Sequence, residues 1–238
     1  MATPANDAPP APPPRLPDVL PVFPLTGSLL LPGTWLPLNV FEPRYRNLVE
    51  DAVVDERGER WIGMIQPRVP MQDNWPALEE PPANPELYTV GCAGRVERCE
   101  PQADGRYLIL LKGRCRFRVH AELAPRRGYR RVAADYSEFA AGDPGEPEVA
   151  IDPAPLLRAV RAFGQEQGLS FDLDVLASLP GVALLNGLAV ALPFPPAEKQ
   201  ALLEAAGPRE RLLLLLALMG MGLEPLARDE YYAPPKVH

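Results

Sequence analysis

Residues that commonly carry catalytic chemistry are scarce in this chain of 238 residues. It has two histidines, His120 and His238, and three cysteines, and none of its serines lies in a GxSxG motif. The phosphate-binding patterns GxxxxGK[ST] and GxGxxG are both absent from the sequence. The sequence therefore predicts neither a nucleophile elbow nor a nucleotide-binding loop, and we expect a non-catalytic protein without a cofactor.

Cysteine is also too sparse for a disulfide framework. Cys92, Cys99 and Cys115 form no CxxC pair, and three thiols in a chain of this size are typical of a reducing compartment. A zinc site would need His120, Cys92 and Cys115 to meet by chance, so we predict buried structural thiols and no metal. The first residues lack the basic and apolar regions of a signal peptide, which favours a cytoplasmic protein.

Long hydrophobic runs are missing as well. The longest, residues 212–221, is about half of the ~20 residues that a membrane-spanning helix requires, so we predict no membrane partner. The formal net charge of -7 argues against a surface that binds nucleic acid as a whole. A local basic face is still present, because residues 95–131 contain eleven basic side chains against four acidic ones.

Proline, by contrast, is abundant, with 32 residues. The proline-rich residues 1–17 are interpreted as a disordered tail, and residues 67–85 as a long surface loop. Near residues 140–155 the hydrophobic period changes from two to roughly three and a half. The predicted organisation is a tail at 1–17, a β-rich unit at 18–140, a linker at 141–152, a helical bundle at 153–231 and a tail at 232–238.

Short apolar runs predict strands in the first half. They are LPVFPL, TWLPLNVF, WIGMIQP, YTVGCAGRVERCE, RYLILLKG, RCRFRVH and YRRVAADY. Asp104-Gly105 predicts a hairpin turn, and Lys112-Gly113 a second turn. In RCRFRVH the alternation places Arg114, Arg116 and Arg118 on a solvated face opposite a buried one that carries Cys115, Phe117 and Val119. These strands predict a closed or nearly closed antiparallel β structure.

One helix interrupts the β half. Pro43 suits the first helical position, and Glu42 just before it suits the positive end of the helix dipole. Side chains at i, i+3, i+4 and i+7 then form one apolar stripe, which we expect to pack on the barrel. The stripe comprises Tyr45, Leu48, Val49 and Ala52.

Helical periodicity dominates the second half. A helix is predicted from Asp152-Pro153 to Gly168, a short one from Ser170 to Leu179, and another starting at Ser178. Two more follow at residues 195–200 and after Gly207-Pro208. The five leucines 212–216 circle the last helix, which favours a central position in the bundle over partial cover by something else.

Three sequence blocks carry a family resemblance. They are LPVFPLTGSLLLPGTWLPLNVFEPRYRNLVEDA at 20–52, GRVERCEPQADGRYLILLKGRCRFRV at 94–119 and NGLAVALPFPPAEKQALLEAAGPRERLLLLLALM at 186–219. Together they resemble the amino-terminal substrate-binding domain of the bacterial Lon ATP-dependent protease. The resemblance implies an α+β fold, with a PUA-like antiparallel β pseudo-barrel followed by an α-helical bundle. It also implies recognition of unfolded or degron-bearing polypeptide, by a stand-alone domain that lacks the ATPase and Ser/Lys protease regions.

From this resemblance we predict a polypeptide-binding groove near the junction of the barrel and the helices. The candidate contacts are Trp35, Phe41, Arg44, Met64, Gln66, Trp75 and Leu78. For any one of Trp35, Phe41 and Met64, a place in the core is the favoured interpretation, and Trp75 in its proline-rich loop is the best candidate for an exposed contact. The partner would be unfolded polypeptide or a protease or chaperone.

Two other classes of function compete. An RNA-binding module would use the face of Arg114, Arg116 and Arg118, with Tyr107 and Tyr129 available for stacking. A hydrolase would need Cys99 or Cys115 as a thiolate within reach of His120. We rank polypeptide binding first, RNA binding second and hydrolysis third.

Overall fold

A computed structural model describes residues 15–53, 60–68, 84–139 and 150–220. Within these ranges one six-stranded sheet is joined by six helices. The strands are β1 (Val19–Pro24), β2 (Trp35–Val40), β3 (Trp61–Ile65), β4 (Val90–Pro101), β5 (Tyr107–Arg126) and β6 (Tyr129–Asp135). The helices are α1 (Pro43–Val53), α2 (Pro153–Gln167), α3 (Leu173–Ala177), α4 (Gly181–Ala191), α5 (Pro196–Glu204) and α6 (Pro208–Leu218). No helix in the described ranges has the length and apolarity needed to cross a bilayer.

The sheet closes on itself. Its strand order is β2-β5-β4-β3-β1-β6, and β6 pairs back onto β5, so five strands form a barrel to which β2 adds at one side. The predicted α+β architecture, a β barrel followed by helices, is therefore confirmed. One detail of the prediction was wrong, because β1 and β3 run parallel while the other pairs are antiparallel. A parallel pair needs a crossover connection, and β2 with α1 provides it.

The predicted turn at Lys112-Gly113 was also wrong. RYLILLKG and RCRFRVH form the single strand β5, and the pairing shifts register between Ala93 and Gly94. Gly113 lies where the loop before β2 crosses the strand, and a Cβ there would overlap with the carbonyl oxygen of Leu31. Glycine is thus needed for a close backbone approach and not for a turn. The turn predicted at Asp104-Gly105 is present, with Gly105 at φ 79°.

A small apolar cluster fills the barrel. It contains Leu20, Val22, Trp61, Ile65, Leu87, Ala93, Phe117 and Val132. The ring of Phe117 lies against both Gly63 and Gly91, and a Cβ at Gly63 would also overlap with the side chain of Leu20. Close packing of one aromatic ring between two glycines leaves no ligand-sized space at this point of the barrel.

Helix α1 packs on the barrel through the predicted stripe, since Tyr45, Leu48, Val49 and Ala52 are all buried. Its polar side holds the β5–β6 hairpin, where Arg127 donates to Asp51 at 2.7 Å. Tyr129 also donates to Asp51 at 2.7 Å, and burial together with this hydrogen bond raises the pKa of Tyr129 to about 12. These contacts fix the hairpin against the helix.

The helical half follows the predicted pattern with corrections at two caps. Helix α2 begins after the N-cap Asp152 and ends at Gly168, as predicted. Asp172, and not Ser170, caps α3, while Ser178 closes α3 and Pro180 precedes α4. An aspartate side chain reaches the free N–H of Val175 from position 172, so the acidic residue takes the cap.

Helix α6 is not enclosed on every side within the described residues. Leu212, Leu215 and Leu216 are buried against the bundle, whereas Leu213 is 37% exposed and Leu214 is half-buried. The interpretation as a central helix is therefore corrected to a helix that packs through one face.

Barrel and helices share one hydrophobic core. A single cluster of buried side chains joins Phe23, Met64 and Val90 of the barrel to Leu156 and Leu185 of the helices. Hydrogen bonds cross the same boundary, among them a partly buried one from Gln66 to the carbonyl of Pro196 and a buried one from Gln200 to the carbonyl of Val90. Most of the predicted tails and linker lies outside the described residues, so those boundaries remain predictions.

Candidate functional site

A groove of about 760 Å³ lies where the barrel meets the helices. One side is formed by the loop at residues 32–34, the start of β2 and residues 112–114 of β5. Helix α4 and Leu179, two positions before it, form the other side. Its lining residues are Pro32, Gly33, Thr34, Trp35, Lys112, Gly113, Arg114, Leu179, Val182, Ala183, Asn186, Gly187, Val190 and Ala191.

Hydrogen bonds hold the two sides of the groove together. The hydroxyl of Thr34 accepts from the N–H of Leu31 at 3.0 Å and donates to its carbonyl, which closes the loop. Gly113 donates its N–H to the carbonyl of Thr34 at 2.9 Å. Across the groove, the amide of Asn186 donates to the carbonyl of Pro32 at 3.3 Å, while its oxygen accepts from Arg211. The loop and α4 are therefore fixed to each other before any ligand binds.

The surface of the groove is largely apolar. Trp35 is 47% exposed and Leu179 is 37% exposed, and Val182 and Val190 are half-buried beside them. At Gly187 a Cβ would meet no atom within 4 Å, so the middle of α4 opens directly into the groove. Apolar walls with an exposed aromatic ring suit an apolar ligand.

Two cations lie at the margin of the groove. The ammonium of Lys112 lies 5.0 Å from the centre of the Trp35 ring. Arg114 is paired with Glu97 at 2.6 Å. Lys112 has no carboxylate partner in the part of the chain that the structure describes.

Next to the groove, β2, β5 and β4 present an outer sheet face. Register places Trp35 opposite Lys112, Pro37 opposite Leu110, and Asn39 opposite Leu108, so these side chains share one side of the sheet. Pro37, Asn39 and Leu108 are exposed. Proline in β2 is compatible with its place at the side of the sheet, because proline lacks the N–H that a further strand would require.

The predicted contact residues are dispersed in the structure. Trp35 lines the groove, whereas Phe41 is 61% exposed just after β2 and lies outside it. Arg44 is exposed, pairs with Glu42 and covers the ring of Tyr45. Trp75 and Leu78 lie outside the described residues.

Met64 and Gln66 are buried rather than open to a ligand. Met64 is 3% exposed and belongs to the shared core. Gln66 accepts from the N–H of Gly27 and donates to the carbonyl of Pro196, so its amide does satisfy a backbone carbonyl, but one of its own chain. Gln66 therefore ties the barrel to the start of α5, and Met64 is part of the core that the barrel shares with the helices.

The predicted arginine face is solvated only in part. Arg114 pairs with Glu97, and Arg118 donates from Nε and Nη2 to one carboxylate oxygen of Glu138 at 2.9 and 2.7 Å. Arg116 is only 3% exposed, covers the ring of Phe139, and donates to the carbonyls of Leu203 and Ala205. The expectation that Arg116 faces solvent was wrong because the end of α5 packs over this part of β5.

The thiols and His120 do not form a reactive group. Cys92 and Cys115 are buried, and burial raises the pKa of Cys99, which disfavours a thiolate. Five residues of extended strand separate Cys115 from His120, which corresponds to about 17 Å. In the described residues no three histidine, cysteine or acidic side chains are grouped in a way that could hold a metal ion.

Sequence reasoning found Trp35 but missed most of the groove. Gly187 and Val190 come from α4, about 150 residues after Trp35, Leu179 precedes that helix, and Lys112 was assigned to a turn. The sequence did offer one signal, a glycine at position 187 within a mostly apolar helix. Glycine in a helix interior lowers helix stability, so its presence there indicates a packing or functional reason.

Comparison with known proteins gives a consistent result. The family model for the "ATP-dependent protease La (LON) substrate-binding domain" matches residues 19–220. The Lon protease of Anaeromyxobacter dehalogenans is 32% identical over 214 residues, which are 89% of this chain and 24% of that protein. Lon protease 2 of Sorangium cellulosum is 32% identical over 232 residues, 94% of this chain and 27% of that protein. The chain thus spans about a quarter of the length of these curated relatives.

Two solved structures share the fold. The Lon N-terminal domain protein from Xanthomonas campestris has a TM-score of 0.55 at 27% identity, and the match covers 84% of this chain and 97% of that one. The N-terminal domain of Mycobacterium avium complex Lon protease has a TM-score of 0.57 at 19% identity, with 86% and 100% covered. With the family match over residues 19–220, these findings show that the chain belongs to the Lon substrate-binding domain family.

Proposed function

We propose that this protein binds extended apolar segments of unfolded or degron-bearing polypeptide in the groove between the barrel and α4, and that it does so without catalysing a reaction. Membership of a substrate-binding family supports recognition of protein substrates. The observation that supports this site most is the apolar groove with the half-exposed ring of Trp35. Apolar residues that a folded protein would bury are available in unfolded chains, so this surface is selective for them.

The geometry suits an extended segment. The groove is fixed by the hydrogen bonds of Thr34 and Asn186, so little ordering of the protein is required on binding. Its walls are formed by flat apolar surfaces and an aromatic ring, which accept many side-chain sequences. We expect micromolar affinity that depends weakly on salt, because burial of apolar surface is its main source.

The test uses two variants at one position. Gly187→Leu places a side chain in the groove, where its Cβ would meet no atom within 4 Å. Gly187→Ala adds only one carbon and is the matched control. Binding of fluorescein-labelled casein, a permanently unfolded polypeptide, is measured by fluorescence anisotropy. We expect Gly187→Leu to weaken binding at least about tenfold, by more than 1.4 kcal/mol, and Gly187→Ala to retain it.

Equal binding by Gly187→Leu and the wild type would place the polypeptide site elsewhere. A labelled single-stranded RNA is measured in parallel at low and moderate salt. Salt-sensitive binding of RNA with no binding of casein would contradict the proposal, because it would identify phosphate as the recognised group.

A further inference from the structure

The strongest unassigned feature is a pair of neighbouring cations beside the groove. Arg95 of β4 and Lys112 of β5 lie directly opposite each other in the strand register, and both side chains are half-buried. Neither has a carboxylate within ion-pair distance among the residues that the structure describes, whereas Arg114 and Arg118 nearby are each paired. Like charges directly opposite each other in a sheet are unfavourable. An added anion between them would relieve that repulsion.

The surroundings strengthen the attraction for an anion. Lys112 lines the groove and packs over the ring of Trp35, so its ammonium is partly removed from water. Coulomb interactions are larger beside apolar groups than in open solvent because less water screens them. The pair is thus a site where one carboxylate gains from two cations.

The path of a bound segment decides which carboxylate would reach this pair. On one side of Lys112 lies the groove, and on the other the outer sheet face continues through Pro37, Leu110 and Leu108. Apolar surface therefore extends in both directions from the cations. A segment that uses both parts crosses Lys112 in its middle, so the carboxylate belongs to an internal side chain and not to a chain end.

We propose that the preferred ligand is an extended apolar segment with one internal aspartate or glutamate, whose carboxylate binds between Arg95 and Lys112. This inference rests on the proposed function, since it specifies the polypeptide that the groove selects. Charge complementarity supports it, because two cations that have no carboxylate partner among the described residues lie at an apolar surface and match an acidic residue flanked by apolar ones. A basic segment would be rejected at the same point.

The experiment compares labelled ten-residue peptides that differ at one position. Each has apolar residues on both sides of a central Glu, Gln or Lys, with both ends blocked, and a fourth has a central Gln and a free C-terminal carboxylate. Wild type, Lys112→Gln and Arg95→Gln are measured by anisotropy. Arg161→Gln is the control, since it removes an equal charge from an exposed position of α2 outside the groove.

We expect the wild type to bind the Glu peptide about fivefold more tightly than the Gln peptide, with the Lys peptide weakest. The preference should vanish in Lys112→Gln, decrease in Arg95→Gln and persist in Arg161→Gln. It should also decrease as salt is added. These variants change charge at the surface, so their circular dichroism should match that of the wild type.

Equal binding of the Glu and Gln peptides by the wild type would overturn the inference while leaving polypeptide binding intact. A preference only for the free C-terminal carboxylate would overturn it too, because the ligand would then end at Lys112. If casein and all four peptides fail to bind, the proposed function fails with it. Binding of single-stranded RNA that Lys112→Gln abolishes, with no peptide binding, would assign the cations to phosphate and overturn both.

Discussion

Arg116 and Arg118 lie two positions apart on β5 but serve different purposes. Arg118 forms an exposed pair with Glu138. Arg116 is buried, and its guanidinium donates to the carbonyls of Leu203 and Ala205 at the end of α5. The last carbonyls of a helix have no partner within the helix, so Arg116 supplies donors that α5 needs at that end. One arginine of the strand is therefore part of the core between barrel and helices.

This difference gives a prediction about stability. Arg116→Met leaves buried carbonyls without donors, and we expect it to lower the free energy of unfolding by about 2–4 kcal/mol. Arg118→Met removes an exposed ion pair, so it should cost no more than about 1 kcal/mol. Urea denaturation followed by circular dichroism measures both. Similar losses in the two variants would show that Arg116 is not the buried donor described here.

At the scale of elements, Gly113 and Gly187 are glycines in opposite surroundings, one tightly packed and one open. Gly113 allows the backbone at Leu31 to cross β5, and a Cβ there would overlap with the Leu31 carbonyl. Gly187 lies in the interior of α4, where a Cβ would meet nothing. The first glycine is required by a close approach of two segments. The second leaves the groove open at a cost in helix stability.

We therefore predict opposite signs for the same substitution. Gly187→Ala should raise the free energy of unfolding by about 0.5–1 kcal/mol, since alanine is the better helix former. Gly113→Ala should lower it by about 1–3 kcal/mol, because the strand or the loop must shift to avoid the overlap. Thermal unfolding of the two variants beside the wild type decides this. A stabilised Gly113→Ala, or a destabilised Gly187→Ala, would be inconsistent with the structure.

The elements that the sequence predicts well are those with local causes. The stripe of α1 depends on spacing along one helix, and the bounds of α2 depend on Asp152 and Gly168 at its ends. The hairpin at Gly105 depends on two adjacent residues. Gly113 was misinterpreted because its cause is non-local: the residue that it accommodates, Leu31, is 82 positions away. The sequence around Gly113 does not indicate that the backbone of Leu31 passes close to it.

In the candidate site, too, the sequence predicts local features and misses those that depend on distant residues. Trp35 is a candidate contact from its residue type, but large apolar side chains are usually in the core, and only the structure shows its side chain 47% exposed at the groove. Met64 and Gln66 resemble contact residues in type but are both buried, Met64 in the shared core and Gln66 against the start of α5, a packing that the sequence alone does not show. Lys112 becomes a candidate only when β2 brings Trp35 beside it and β4 brings Arg95. Tertiary pairing, and not residue type, defines this part of the site.

At the scale of the whole molecule, the helices cover apolar side chains of the barrel, and the two parts share one hydrophobic core. The large apolar cluster includes residues of both parts, and the hydrogen bonds of Gln66, Asn186 and Gln200 cross between them. The groove exists only where both parts are in place, because one wall belongs to each. Folding of the two parts and formation of the site are therefore coupled.

Because of this coupling, we predict that a chain ending at residue 140 does not fold independently. Without the helices, the outer barrel residues of the shared core would face water, and the carbonyl of Val90 and the amide of Gln66 would lose partners. The full chain should unfold in one transition in which helix signal and tryptophan fluorescence change together. The shortened chain should show a broad transition and bind a hydrophobic dye. If it instead unfolds cooperatively with a midpoint near that of the full chain, the barrel is a separate folding unit, and the groove is a junction between two independent domains.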